Sequence, residues 1–257
     1  MSRPLTPPDP DRDLPEHAPH PVLAAYYGHA EQRTGFVRQL FDDTAGDYDR
    51  VERLMSFGSG AWYRRQALLR AGLQPGMRVL DVAVGTGLVA REAVAVTGDA
   101  SAVVGLDPSI RMMRSGMRAR AISLVQGTAE QLPFADAQFD FVSMGFALRH
   151  VADLRHVFCE FRRVLRPGGI ICMLEVTAPD RAWLRRLLHL YLGAVVPLLC
   201  RVVARHTETP RLFRYFWDTI DTCVSPAAVQ EALVLAGLLG VRRHVTAVIF
   251  SEYTARR

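Results

Sequence analysis

Met77-Arg78-Val79-Leu80-Asp81-Val82-Ala83-Val84-Gly85-Thr86-Gly87 begins as a short β-rich run and ends in closely spaced glycines. A helical pattern takes over from residue 88 to 96, so the segment is a strand, a tight turn and a helix. Glycine lets the backbone turn sharply and approach a ligand closely, and the free N–H groups that open the helix suit an anionic group. A second apolar run, residues 102–107, ends in Asp107, twenty residues beyond Gly87 and placed to accept both hydroxyls of a ribose. These two features fit nucleotide sites of several kinds, because Gly85-Thr86-Gly87-Leu88-Val89-Ala90 also satisfies the G-x-G-x-x-A dinucleotide pattern.

Outward from this segment the alternation continues. Further strands are expected at residues 121–126, 139–144 and 170–176, with a helix at 154–165 between the last two. Strands alternating with helices imply a parallel sheet with right-handed crossovers. A helix at 227–235 is followed by residues 241–257, where only a short turn fits between two strands, which predicts an antiparallel hairpin at one sheet edge. On the N-terminal side, residues 22–71 carry a helical pattern, with Phe36, Val37, Leu40 and Phe41 on one face. Seven prolines within residues 1–21 predict a disordered or extended tail. The fold class is therefore α/β: a doubly wound, mostly parallel seven-stranded sheet with an antiparallel C-terminal hairpin, a helical N-terminal preface and a helical lid insertion at about 179–220.

Composition sets bounds. The 257 residues suffice for one large α/β domain, and 49% hydrophobic with 22% charged residues excludes disorder for most of the chain. All 31 basic residues are arginine, and the net charge of +5 supports no more than weak attraction to anionic lipid or polyanions, so no nucleic-acid partner is expected. Cys159, Cys172, Cys200 and Cys223 show no C-x-x-C spacing and sit in apolar or amphipathic segments; buried free thiols in a reducing cytoplasm are expected, and no metal site. No charged and then apolar N-terminal signal is present, which predicts a cytoplasmic protein. Residues 187–204 (LLHLYLGAVVPLLCRVVA) approach the length of a membrane span, yet contain His189, Pro197 and Arg201 and follow Arg181, Arg185 and Arg186. A lid or an interfacial helix fits better, with peripheral contact to the inner membrane.

Order and extra pieces separate the nucleotide classes. Asp81 precedes the glycines at the strand end, where an acid can meet the ammonium of a bound amino-acid moiety. The third strand ends in Gly127-Thr128-Ala129-Glu130-Gln131-Leu132-Pro133-Phe134, suited to an adenine edge. Arg163-Val164-Leu165-Arg166-Pro167-Gly168-Gly169 reads as a helix end and tight turn before the fifth strand. S-adenosylmethionine meets these requirements. With these segments, Phe41-Asp42-Asp43-Thr44-Ala45-Gly46-Asp47-Tyr48-Asp49, Leu54-Met55-Ser56-Phe57-Gly58 and Phe146-Ala147-Leu148-Arg149-His150, the chain resembles the ubiquinone/menaquinone biosynthesis C-methyltransferases from about Phe41 to its C-terminus.

That resemblance implies a class I methyltransferase using S-adenosyl-L-methionine, acting on a hydrophobic small molecule, a prenylated quinol, with a homodimer left open. It sets cofactor contacts at Thr86, Asp107, Thr128, Ala129 and Gly145, with Ala83 and Pro108 beside them and Asp81, Gly85 and Gly87 shaping the pocket. Its catalytic candidates are Arg149, to stabilise a phenolate, His150, to hold or remove a proton, and Tyr48, to lie over the substrate. The family commonly has Gly at Val84, Asn or Asp at Thr128, Ser at Gly145, Asn at His150 and Met-Asn at Val51-Glu52, so these departures bear on cofactor and acceptor alike. Three alternatives stand beside it. One is a methyltransferase for another hydrophobic acceptor, such as a secondary metabolite or lipid amine. A second is an NAD-dependent oxidoreductase, for which the lysine of a Tyr-Lys pair is missing, and the third an inactive scaffold that binds the cofactor without turnover.

Overall fold

A computed structural model describes residues 17–116, 122–203 and 208–257. The start of the tail, the first residue of the expected third strand and the last residue of the 187–204 stretch lie outside them. Seven strands form one sheet: β1 (Val79–Val82), β2 (Val103–Asp107), β3 (Ser123–Gln126), β4 (Phe139–Gly145), β5 (Leu165–Val176), β6 (Leu239–Thr246) and β7 (Phe250–Arg256), in the order β3-β2-β1-β4-β5-β7-β6. The first five are parallel; β7 pairs antiparallel with both β5 and β6. β1 and β2 are buried along their whole length, as expected of strands covered on both faces, whereas β3 at the edge is mostly exposed. The expected doubly wound sheet with its terminal hairpin is the sheet observed.

Helices cover both faces. On one, α6 (Leu154–Val164) and α10 (Pro226–Leu235) bury Phe158, Phe161 and Leu233 against Leu80, Val142 and Met173. On the other, α3 (Gly60–Ala71) and α4 (Leu88–Thr97) bury Leu68, Ala90 and Ala93 against Val79, Phe141 and Cys172. The helical preface resolves into α1 (Gln32–Thr44), α2 (Tyr48–Met55) and α3, and α5 (Ile110–Gly116) follows β2.

Of the disordered or extended tail expected, residues 17–21 are described and are held by tertiary partners. His17 and Pro19 accept backbone hydrogen bonds from Leu154 and Val224, and buried Arg33 donates to the carbonyl of buried His20. Proline forbids helix and ladder, but carbonyls fixed by tertiary partners order an extended segment all the same. The expectation of buried cysteines holds at Cys172 and Cys200 and is corrected at the other two, since Cys159 lies exposed on α6 and Cys223 is only partly buried.

Between β5 and α10 the chain forms a separate helical layer: α7 (Ala182–Leu190), a π-turn (Tyr191–Val195), α8 (Val196–Val203) and α9 (Thr209–Asp221). The π-turn precedes Pro197, which lacks the N–H that would bond the carbonyl four residues back, so the helix changes register there. The layer packs Leu188, Leu192, Val196, Leu212 and Tyr215 onto Leu40 and Val51 of α1 and α2. Residues Ala182–Cys200 are long and apolar enough to cross a membrane by length and composition, with 28% of that window buried. One face is therefore packed against the protein, which is the arrangement of a lid.

Candidate active site

β1 neighbours β2 on one side and β4 on the other, so the winding reverses at β1 and a crevice opens beyond the strand tips. A cleft open to solvent occupies that place. Its floor is the turn after β1. Ala83 and Gly85 both adopt positive φ, at +55° and +54°, and the Val84 N–H donates to the Leu106 carbonyl (2.9 Å). A left-handed alanine is uncommon, and here the two neighbouring left-handed residues fold the turn tightly enough to bring it beside Asp107. The Gly85 N–H donates to Asp107 Oδ2 and the Ser109 N–H to Oδ1, each at 2.8 Å. The carboxylate is thus fixed at the strand tip. Burial pushes its pKa up to about 6 against the pull of these two amides.

Asp81 lies deeper and is 1% exposed. Ser143 Oγ on β4 donates to its Oδ1 (2.7 Å), while Oδ2 has no hydrogen-bond partner among the described residues. Burial lifts this acid to about 7. Thr86 Oγ1 is likewise buried without a partner. Both atoms border the cleft, and an unsatisfied buried acceptor next to an open space fits a cationic ligand group. Arg91 holds the turn from outside, donating to the carbonyls of Thr86 (3.2 Å) and Gly87 (3.1 Å) and pairing with Asp49 on α2 at 2.8 Å.

The expected cofactor positions gather here. Ala83, Gly85, Thr86, Asp107 and Pro108 line the cleft from β1 and β2, and Thr128, Ala129 and Gly145 line it from β3 and β4. Gly87 instead caps α4 with φ +84°, one residue outside the lining. Two departures are matched by their neighbours. Val84 packs its methyl groups on Gly105, where an added Cβ would lie 2.9 Å from Cγ2, so its bulk turns toward the sheet. At Gly145 an added Cβ would lie 2.5 Å from Val89 Cγ2, so a side chain on α4 fills the room a serine would need.

Tyr48 and His150 also face the cleft, under the lid. The imidazole stacks on Tyr215 of α9 (5.5 Å, 21°) and meets Phe41 of α1 edge-on at 5.4 Å. Its Nδ1 is 3.4 Å from Tyr215 Oη, and its Nε2 is buried with no partner among the described residues. Burial, then the neighbouring Arg149 charge, hold its pKa well below the ordinary value, so the ring is neutral. Burial pushes the Tyr48 phenol up to about 12, which keeps it a neutral donor.

Arg149 is placed otherwise than expected. It does not line the cleft: its guanidinium forms a buried ion pair with Glu175 on β5, donates from Nε to Thr219 Oγ1 (3.1 Å) and lies over the Phe216 ring at 5.0 Å. A direct contact with a phenolate is replaced by a position behind His150. Three other cleft residues stand outside the candidate site residues named above, although Phe41 and Phe146 lie within the quoted motifs. Phe146, at φ +60°, turns its ring toward Phe250, and Phe41 roofs His150. Arg64 of α3 reaches the cleft with a side chain 6% exposed, although it stands in an ordinary arginine-rich helix where no motif marks it.

A model of the ubiE/COQ5 methyltransferase family matches residues 27–254. The chain belongs to the ubiE/COQ5 methyltransferase family. It is 33% identical over 214 residues to a protein of Coxiella burnetii named ubiquinone/menaquinone biosynthesis C-methyltransferase UbiE, covering 80% of this chain and 84% of that one. It is 32% identical over 222 residues to the demethylmenaquinone methyltransferase of Mycolicibacterium paratuberculosis, covering 86% and 94%. Among solved structures, an S-adenosylmethionine-dependent methyltransferase of Thermotoga maritima superposes with TM-score 0.58 at 20% identity, covering 85% of this chain and 98% of that one. The phosphoethanolamine N-methyltransferase 2 of Haemonchus contortus, solved with S-adenosyl-L-methionine, superposes with TM-score 0.55 at 15% identity over 76% and 52%. This ubiE/COQ5 member is thus an enzyme that uses S-adenosyl-L-methionine, and the dinucleotide oxidoreductase and scaffold alternatives fall away. The site fits that cofactor, with a buried unpartnered acid for an ammonium and a fixed carboxylate for a ribose.

Proposed function

We propose that the protein transfers a methyl group to a ring carbon of a prenylated quinol of the ubiquinone or menaquinone type. The observation that carries this reading is the aromatic part of the cleft lining, where Phe41 lies against both Tyr48 and the neutral His150, and His150 against Tyr215 and Phe216 of the apolar lid. Aromatic faces suit an apolar ring, while two neutral polar groups suit its hydroxyls. Asp107 would hold the ribose hydroxyls, Asp81 the ammonium, and the Thr128–Ala129 segment the adenine edge.

S-adenosyl-L-methionine supplies the methyl group when bound. The rest falls to the protein, which must hold the ring in line and handle its proton. Bound there, the cofactor would give its methyl group to the ring carbon and keep the electron pair of the carbon–sulfur bond, and the ring C–H proton would have to leave to a group of the protein. His150 is suited to take it: a neutral imidazole with an unpartnered nitrogen accepts a proton, and a buried site keeps it from being occupied beforehand. Tyr48 donates a hydrogen bond to the ring oxygen and so favours its phenolate character. Arg149 acts through His150, since its charge opposes protonation of the resting imidazole.

The outer side of the lid supports a place of work at a membrane. Trp183, Leu187, Leu190 and Leu198 are each more than half exposed on one surface, beside Arg181 and Arg186. An apolar stripe flanked by arginine suits the boundary of an anionic leaflet, where a prenyl chain resides. The enzyme would then work in the cytoplasm against the inner membrane. Incubation with methyl-labelled cofactor and a lipid extract tests the proposal: label should enter the quinone fraction, and label confined to polar molecules or lipid amines would refute it.

A further inference from the structure

Arg33 is an arginine in the interior with no acid beside it. It lies in the first turn of α1, 2% exposed, and all three of its nitrogens donate to neutral oxygens: Nε to Tyr27 Oη (3.3 Å), Nη1 to the Val151 carbonyl (3.2 Å) and Nη2 to the His20 carbonyl (2.8 Å). It makes no ion pair among the described residues, whereas the buried Arg149 guanidinium is matched by Glu175. A guanidinium keeps its proton inside a protein, and a buried charge without a counter-ion is costly. A neutral donor would tie the same carbonyls at less cost, so the fold alone does not account for a cation here. The position is behind the acceptor side of the cleft. Val151 follows His150 directly, and both line the cleft at the end of the short turn Leu148–His150. The far end of that turn is tied as well, where the Ala152 N–H donates to Glu130 Oε1 (2.9 Å). His20 belongs to the segment 17–21, whose His17 and Pro19 carbonyls accept from Leu154 and Val224.

We infer that Arg33 is a positioning residue for the transfer: it ties the segment 17–21 to the turn that carries His150 and so sets where the imidazole stands in the cleft. The inference rests on the reading of His150 as the group that takes the ring proton. Five titratable or charged groups surround the imidazole: Arg149 of its own turn, with Glu175 of β5 behind it, Tyr215 of α9, Tyr48 of α2 beside Phe41, His20 of the segment 17–21, and Arg33 of α1. Burial, then the Arg33 charge, hold His20 at about 4, so that ring is neutral. Of the two cations only Arg33 lacks an acid. Its repulsion keeps the resting imidazole unprotonated and, once the ring proton has moved to the imidazole nitrogen, favours its release to solvent. A purely structural tie would have no such effect on the base.

Two variants separate the charge from the tie. Arg33→Gln removes the charge and keeps donors for the carbonyls; Arg33→Lys keeps the charge but cannot reach three oxygens at once. The His150 ring is followed by NMR in the ligand-free protein, assigned by the signals that His150→Asn loses. At pH 5 its protonated fraction should be about five- to tenfold greater in Arg33→Gln than in the parent, the size of a midpoint shift of about one unit from a single charge in a partly dry interior. The acid limb of kcat at saturating cofactor should move up with it. Arg33→Lys should titrate as the parent does, yet lose about 10- to 100-fold in kcat with KM for the cofactor unchanged, as expected of a displaced base. A ring equally neutral at pH 5 in the parent and Arg33→Gln overturns the inference, and so does an Arg33→Lys enzyme with parental kcat. Should Arg33→Gln melt below the assay temperature, the lysine variant decides by the same criterion. A His150→Asn enzyme as active as the parent would instead remove the reading of His150 as the base, and the inference with it, a result distinct from either.

Discussion

Asp81 should make cofactor binding depend on pH in a range where free carboxylic acids do not titrate. Burial lifts it to about 7, and its proposed partner, the ammonium, needs it ionised. At pH 6 such a group is protonated in roughly ten of eleven molecules, so the apparent Kd for S-adenosylhomocysteine should rise about tenfold between pH 8 and pH 6. Asp107, lifted to about 6, is half protonated at the lower end and adds about twofold. The product is about twentyfold, read by calorimetry at constant ionic strength. Asp81→Asn should bind more weakly at pH 8 and retain only the twofold slope. Stability runs the other way. A buried acid whose folded pKa exceeds its unfolded value stabilises the fold below pH 4 and loses that contribution as pH rises to 7. For this shift of about three units the loss is on the order of 4 kcal/mol. Ligand-free Asp81→Asn should therefore melt at a higher temperature than the parent at pH 8, and saturating ligand should narrow the gap. A wild-type Kd flat within twofold from pH 6 to 8, or the same slope in Asp81→Asn, would refute the assignment of the ammonium to this acid.

Other expectations follow from the packing. Gly145→Ser drives a Cβ to 2.5 Å from Val89 Cγ2 and should cost about 1–3 kcal/mol of stability by overpacking. Adding Val89→Ala should recover most of it in thermal denaturation, and a single variant as stable as the parent would show that α4 yields freely. Arg149→Met strands the Glu175 carboxylate and should cost about 3–5 kcal/mol, while Arg149→Met/Glu175→Leu should recover most of that. A single variant that melts normally yet is inactive would instead return Arg149 to the substrate. Leu187→Glu/Leu198→Glu should abolish sedimentation with anionic vesicles while turnover of a short-chain quinol persists. Sedimentation unchanged by the pair would move any membrane contact to another face.

Much of this protein is legible along the chain because its information is local. The strands, the glycine turn and the acid ending β2 are read from periodicity and spacing, since alternating β and α segments fix a parallel sheet and a parallel sheet places its ligand at the strand tips. The closing strands follow from a connection too short for a crossover. What the sequence could not reveal depends on segments far apart. Arg149 reads as a cleft residue until Glu175, twenty-six positions later, is seen to take its guanidinium. Val84 and Gly145 read as losses at the cofactor until Gly105 and Val89 are seen beside them. Residues 17–21 read as tail because proline forbids regular structure, whereas donors from elsewhere in the domain, the Leu154 and Val224 N–H groups and the Arg33 guanidinium, hold their carbonyls in place. Arg64 carries no local mark among 31 arginines; only the meeting of α2, α3 and the tip of β1 buries it beside the cleft. Backbone periodicity is a property of neighbours in sequence, but the partner of a buried charge is chosen by tertiary packing, and that choice decides which polar groups remain open to a ligand.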